Sequence, residues 1–320
     1  MYYYNQIWNA EFLEDDKVSN FPHLGLNSIN DWKNAKQLLL NNLERLYVAC
    51  QRNATIDTYA KKMVLQGKNP ELEHLERLLT FYFILEQVIS EPDARYDTFL
   101  ANILQSRRQF PSHIKVLSWN YDSQFEIAYN EYDKDNKLSI GSKLSSEYQP
   151  FDILKLNGSA TFQGAESIPE YRHNLKEKIK KYGRQNTYGE VVASPVRCIL
   201  YDIVYLYKLY VGEIDPSRKN NTNLSFAFDS NKPSDILFYR TDEIVAATDV
   251  LVIIGYTFPF FNREIDRRIL NKLKPNVKIY IQDKNPNRIK QNFKAVKNSI
   301  SDEQIELKED TDQFFLPPEL

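Results

Sequence analysis

Glycine is in short supply: nine residues in 320, at positions 25, 67, 141, 158, 164, 183, 189, 212 and 255, with no two spaced as Gly-x-Gly. That excludes the glycine-rich turn that lets a backbone close on a pyrophosphate at a helix N-terminus. Cysteine is scarcer, with Cys50 and Cys198 the only two in the chain. Two thiols cannot build a four-thiolate zinc site, and both lie in apolar helical stretches where a reduced core cysteine is expected. No apolar run approaches the ~20 residues of a membrane span, and no signal-peptide pattern opens the chain. A cytoplasmic protein without membrane contact is therefore expected. Charge of neither sign dominates: 41 Lys and Arg face 43 Asp and Glu, for a formal net charge of −2. Without a basic field, nucleic acid is disfavoured as a partner, and the run Lys176-Glu-Lys-Ile-Lys-Lys181 reads as a solvated helix face.

What is present is an ordinary globular composition, 42% hydrophobic and 26% charged, rich in Tyr (21) and Phe (18). Apolar residues recur at helical spacing over 31–52, with Asn30 as the expected N-cap, and again over 55–63, 71–89 and 93–107. These four helices make residues 1–110 a mainly helical portion, expected to pack within the same domain as the rest of the chain. From Ile114 the pattern alternates. It predicts strand 114–119, helix 123–131, a polar hairpin-like stretch through Gly141 and strand 151–156. A variable insert occupies 165–232, with helix 170–182, a tyrosine-rich apolar segment 196–211 and a polar run 217–223. Helix 234–247, strand 250–255, helix 262–273, strand 277–282 and helix 286–297 complete the series. Strand–helix alternation with short links predicts an α/β core over 111–300, built on a parallel sheet with crossover helices. Residues 301–320 read as an acidic tail, loosely packed or facing a partner.

The predicted strands end abruptly in small or polar residues, which is where open parallel sheets place ligands. The ends are Val116-Leu-Ser-Trp-Asn-Tyr-Asp122, Ile153-Leu-Lys-Leu-Asn-Gly-Ser159, Val250-Leu-Val-Ile-Ile-Gly-Tyr-Thr257 and Gln282-Asp-Lys-Asn285. Asn120 offers both a donor and an acceptor to a hydroxyl or a water, though Asn also suits a strand-to-helix turn. Asp122 is better suited to cap the helix expected from Ser123. Asn157-Gly158 reads as a turn with positive φ as readily as a ligand contact. Gly255 permits close backbone approach and Thr257 supplies a hydroxyl. Asp283 could bind the two hydroxyls of a ribose, and Asn285 before Pro286 could equally start a helix.

Taken in order, these segments resemble the sirtuin-like NAD-binding family. Ser118-Trp-Asn-Tyr-Asp122 is similar to the family's Thr-x-Asn-x-Asp strand end, and Leu156-Asn-Gly-Ser159 to its Leu-His-Gly-Ser. Ile254-Gly-Tyr-Thr257 is similar to its Gly-Thr/Tyr-Ser segment, and Ile279–Pro286 to its adenosine-side strand. The resemblance spans about residues 95–295 and is nearest in style to the bacterial sirtuin-like NADases of anti-phage defence, not to the zinc-bearing deacetylases. It implies a Rossmann-like sheet, NAD or a related nucleotide as substrate or ligand, no metal, and NAD glycohydrolase activity. A protein partner or a second copy of the chain is expected beside it. The resemblance implies catalytic roles for Asn120, which would orient the water or ribose at the nicotinamide bond, and for Asn157. It implies cofactor-binding roles for Ser118, Asp122, Ser159, Gly255, Thr257, Asp283 and Asn285.

Two departures bear on this. The family's catalytic His is Asn157 here, and an amide cannot take a proton from a ribose hydroxyl. The family's glycine-rich loop is missing as well, so the expectation is a start inside an ancestral domain or a degenerate member, with residues 1–30 as loop or irregular helix. Of the four histidines, His173 in the insert is the best substitute, and a weak one. Catalysis is expected to be feeble, and the alternative function is an inactive sirtuin-fold subunit acting through protein–protein interaction. Asn120, Asn157 and Gly255 are expected to border one cleft at the carboxyl edge of the sheet.

Overall fold

A computed structural model describes residues 2–12, 21–104, 109–133, 138–142, 151–160, 168–183, 195–211, 224–226, 228 and 235–320. The polar run 217–223, and parts of the expected hairpin stretch and insert, lie outside the described residues. In chain order the helices are α1 (Tyr2–Asn9), α2 (Ile29–Arg52), α3 (Ile56–Leu65), α4 (Asn69–Ile89), α5 (Ala94–Ile103), α6 (Gln124–Tyr132), α7 (Ile168–Gly183), α8 (Pro195–Cys198), α9 (Leu200–Tyr210), α10 (Asp235–Ala247), α11 (Arg263–Leu270) and α12 (Pro286–Val296). The strands are β1 (Val116–Ser118), β2 (Ile140–Ser142), β3 (Ile153–Lys155), β4 (Val250–Ile254), β5 (Lys278–Gln282) and β6 (Ile305–Lys308). The protein is mixed α/β, with two small parallel sheets and many helices.

The chain divides into two compact units, Met1–Glu91 with Ala160–Leu224, and Pro92–Ser159 with Ser225–Leu320. The boundaries differ from those expected: α5 belongs with the sheets rather than with the other early helices, and the insert's helices join the helical unit. Long-range packing decides this, and local periodicity carries no record of it.

The helical unit arises from amphipathic patterning. Helix α2 buries Trp32, Leu39, Leu40 and Leu43, and α4 buries Leu75, Leu78, Phe81, Ile84 and Val88. The N-cap of α2 is Ser28, not Asn30. Its Oγ accepts from the Asp31 N–H at 3.3 Å while the Asp31 carboxylate accepts from the Ser28 N–H at 2.8 Å, a reciprocal pair that Asn30 could not form. On α7, buried Arg172 donates to the carbonyls of Gln87, at 2.7 Å, and Ser90, satisfying the open C-terminus of α4. Cys198 is buried as expected, whereas Cys50 is exposed.

In the other unit, β3 lies between β1 and β2, and β5 between β4 and β6, all pairs parallel. The register aligns Val116 and Ile140 with Ile153, and Ile279 with both Leu251 and Ile305. The central strands are the buried ones, and β2 can approach β3 only because position 141 is glycine. A Cβ there would lie 2.5 Å from Leu154 Cδ2 and 2.8 Å from the Phe151 ring. Strand β2 sits in the stretch expected to be hairpin-like, and β6 in the residues expected to be a loose acidic tail. The amide of buried Gln282 fastens the chain beyond β6, donating to the Asp310 and Gln313 carbonyls at 2.6 Å and accepting from the Phe315 N–H at 3.0 Å. Among the described residues no hydrogen-bonded ladder joins β1 to β4. Leu117 of β1 packs on both the cluster around Ile253, Ile279 and Phe293 and the cluster of Phe151, Leu154 and Leu237.

Candidate functional site

The strand ends expected to carry the site lie within the sheet-bearing unit, and three of them come together. The Ser118 carbonyl accepts from the Leu156 N–H at 2.8 Å, which puts Asn120 and Asn157 just past the ends of adjacent parallel strands. Trp119, beside Asn120, stacks on Tyr256, beside Gly255, with ring centroids 5.6 Å apart and planes 8° from parallel. Sequence placed these residues at strand ends; the stack is what brings the end of β4 to the end of β1.

Each candidate has a definite environment. Asn120 is exposed, and its N–H donates to Ser118 Oγ at 3.2 Å. Asp122 accepts from the Gln124 N–H at 3.2 Å in the turn that enters α6, but α6 begins at Gln124 and its N-cap position is Ser123, not the expected Asp122. Asn157 is 6% exposed, and its carbonyl accepts from the Ser225 N–H at 2.9 Å and Oγ at 3.2 Å. Its side-chain Oδ1 is buried with no hydrogen-bond partner among the described residues. A buried acceptor without a donor costs about 1–3 kcal/mol, so something of the chemistry of an N–H or O–H suits that position. Gly158 takes the positive φ (78°) that the Asn-Gly turn called for, and Ser159 is buried beyond it.

Gly255 has φ 62°, and a Cβ built on it would meet nothing within 4 Å, so open space adjoins it. Thr257 is exposed, and its carbonyl accepts from Asn292 Nδ2 at 2.9 Å. Asp283 accepts from the Asn285 N–H at 2.8 Å, and Asn285 caps α12 by accepting from the Arg288 N–H at 3.3 Å. Both therefore perform the strand-to-helix turn chemistry weighed against ligand contact, one strand away from the Trp119–Tyr256 stack. His173 lies exposed on α7 of the helical unit.

Sequence reasoning missed Asp266 and Asn262. The Tyr256 hydroxyl donates to the Asp266 carboxylate, at 2.9 and 3.0 Å from its two oxygens, and accepts from Asn262 Nδ2 at 2.9 Å. Burial pushes the Asp266 carboxyl up to about 7, although the Tyr256 hydroxyl bond favours its ionised form. Burial and the neighbouring Asp266 charge also raise the Tyr256 phenol, which stays protonated. The available signal was small: Asp266 in Arg263-Glu-Ile-Asp-Arg-Arg268 looks like one more charge on a polar helix. A second buried pair, Lys155 with Glu126 at 3.0 Å, holds the end of β3 to α6.

A cavity of about 530 Å³ in the same unit is lined by Phe99, Gln282, Lys308, Asp310, Phe314 and Phe315 among others. It includes none of Asn120, Asn157 and Gly255, and the amide of Gln282 within it is fully engaged. The candidate site is at the ends of β1, β3 and β4 instead, which meet at the Leu156–Ser118 hydrogen bond and the Trp119–Tyr256 stack. Among the described residues, no group of three His, Cys, Asp or Glu is arranged to hold a metal ion, and no helix is long and apolar enough to cross a membrane. Comparison with family models, with curated proteins and with solved structures finds no match to this chain.

Proposed function

We propose that this chain is a sirtuin-like protein, with a Rossmann-like arrangement of its parallel strands, that binds NAD or a related nucleotide at the ends of β1, β3 and β4. The observation that carries the reading is the Oδ1 of Asn157, buried and without a partner among the described residues, past the end of the strand next to the one that leads to exposed Asn120. A ribose hydroxyl supplies the missing donor, and the Asn120 amide can hold a second hydroxyl or a water. The reaction of this reading is NAD glycohydrolysis. Water attacks the ribose carbon, the carbon–nitrogen bond breaks, nicotinamide leaves with the electron pair, and the proton passes to solvent because Asn157 cannot accept it. Lacking a general base, turnover falls by roughly the 10²–10⁴ that such a group supplies. In this reading the protein works in the bacterial cytoplasm within an anti-phage system, alongside a protein partner or a second copy of itself.

Calorimetry with NAD and with ADP-ribose, together with nicotinamide release, tests it. Both nucleotides should bind, Asn120→Ala should weaken them at least about tenfold, and release should be slow. Asn157→His should raise turnover only in part, because no glycine-rich loop holds the pyrophosphate. Absence of binding by either nucleotide overturns the reading. A second reading, an inactive sirtuin-fold subunit acting through a protein partner, is favoured by Asn157 standing where the resemblance puts His. Binding without any nicotinamide release would select it.

A further inference from the structure

The Trp119–Tyr256 stack spans the place where, among the described residues, no hydrogen-bonded ladder joins β1 to β4, and both rings are partly exposed. Gaps of this kind at the carboxyl ends of parallel strands are where α/β sheets take ligands. The Tyr256 ring is held on several sides. Trp119 lies against one face, Phe258 meets it edge-on with centroids 4.8 Å apart, and the hydroxyl is tied to Asp266 and Asn262. The segment carrying it is bent by two left-handed residues, Gly255 at φ 62° and Phe258 at φ 52°. For a bulky residue such as Phe258 that conformation is strained, and strain of this kind persists where surrounding packing fixes it and function uses it. Phe258 is buried against Phe293.

Packing alone does not call for Asp266. A phenylalanine over an apolar residue would fill the same space without burying a carboxyl that is 3% exposed. What the carboxyl and Asn262 provide is a fixed ring orientation. Immediately beside the stacked rings are the exposed Asn120 and the open space at Gly255.

Resting on the nucleotide-binding reading above, we propose that Asp266 is a positioning residue: with Asn262 it pins Tyr256 against Trp119, and the stacked pair forms the wall on which a planar heteroaromatic ring of the nucleotide lies. Offset stacking on a ring held in advance avoids the ordering cost that a free Tyr256 side chain would add on binding.

The test uses the full chain, NAD as probe, calorimetric affinity and tryptophan fluorescence. NAD should quench emission in the wild type, and the quench should vanish in Trp119→Phe although Trp8 and Trp32 remain. Asp266→Ala should weaken NAD about tenfold and diminish the quench. Asp266→Asn keeps an acceptor for the Tyr256 hydroxyl and should stay within about threefold of wild type. Wild-type affinity in Asp266→Ala, or a quench that survives Trp119→Phe, overturns the wall while leaving nucleotide binding standing. No NAD binding by the wild type overturns the nucleotide reading and the wall with it. If Asp266→Ala does not fold, Tyr256→Phe carries the same test, because it keeps the ring and removes only the anchored hydroxyl; unchanged affinity there overturns the proposal.

Discussion

Substituting Asp266 by Asn separates the burial of a charge from the hydrogen bonds that go with it. In the folded protein the carboxyl titrates at about 7, against 3.8 for the free group, chiefly because burial penalises the ionised form. Well below the unfolded value of 3.8 the group is neutral whether the chain is folded or not, and its contribution to stability is fully present. Between about pH 4 and pH 7 the unfolded chain gives up the proton while the folded chain keeps it, so stability falls as pH rises. Each unit of difference corresponds to about 1.4 kcal/mol, so the loss approaches 4 kcal/mol above pH 7. The Asp266→Asn variant carries no titrating proton and keeps an acceptor for the Tyr256 hydroxyl. It should match the wild type at about pH 3 and become the more stable of the two by up to about 4 kcal/mol at pH 8. Urea unfolding of both proteins from about pH 3 to about pH 8, plotted as the difference between them, isolates this residue because the other titrations are shared. A difference that stays flat with pH would show that the carboxyl titrates alike in the folded and unfolded chains, and a variant that loses stability relative to wild type as pH rises would show that the fold stabilises the carboxylate; either would refute the burial argument.

Other perturbations reach other parts of the sheet-bearing unit. Asn157→Leu replaces a buried acceptor, unpaired among the described residues, by an apolar group of similar size. It should leave stability unchanged or raise it by about 1 kcal/mol while abolishing calorimetric NAD binding; a stability loss beyond about 2 kcal/mol would mean that Oδ1 is already satisfied in the fold. Gly141→Ala forces a Cβ to 2.5 Å from Leu154 Cδ2 and should cost about 1–3 kcal/mol, so an unchanged urea midpoint would count against the close β2–β3 packing. Lys155→Met strands the Glu126 carboxylate and should cost about 3–5 kcal/mol, most of it recovered when Glu126→Leu is added; additive losses in the double variant would contradict a buried pair.

Much of the second half of the chain was legible from sequence because its signals are local. Alternating apolar runs and helical periodicity place β4, β5 and α10 to α12 within a few residues, and Asn285-Pro286 supplies a local helix start, with Asn285 as cap and Pro286 in the first turn. The turn at Asn157-Gly158 is equally local, since a positive φ is open to a residue without a Cβ. Strands β2 and β6 were not legible. Three or four residues carry too little periodicity, and each becomes a strand through hydrogen bonds donated and accepted by β3 or β5. Residue type also left several roles open that only neighbours could decide. Asp122, Asp283 and Asn285 are the kind of residue that binds ribose and the kind that caps a turn, and in the structure each accepts from a nearby backbone N–H in a strand-to-helix turn. Asp266 is the converse. Sequence alone determined that it sits on a charged helix, while the tertiary structure removed it from water and set it against Tyr256, because desolvation depends on what packs around a group rather than on which residues precede it.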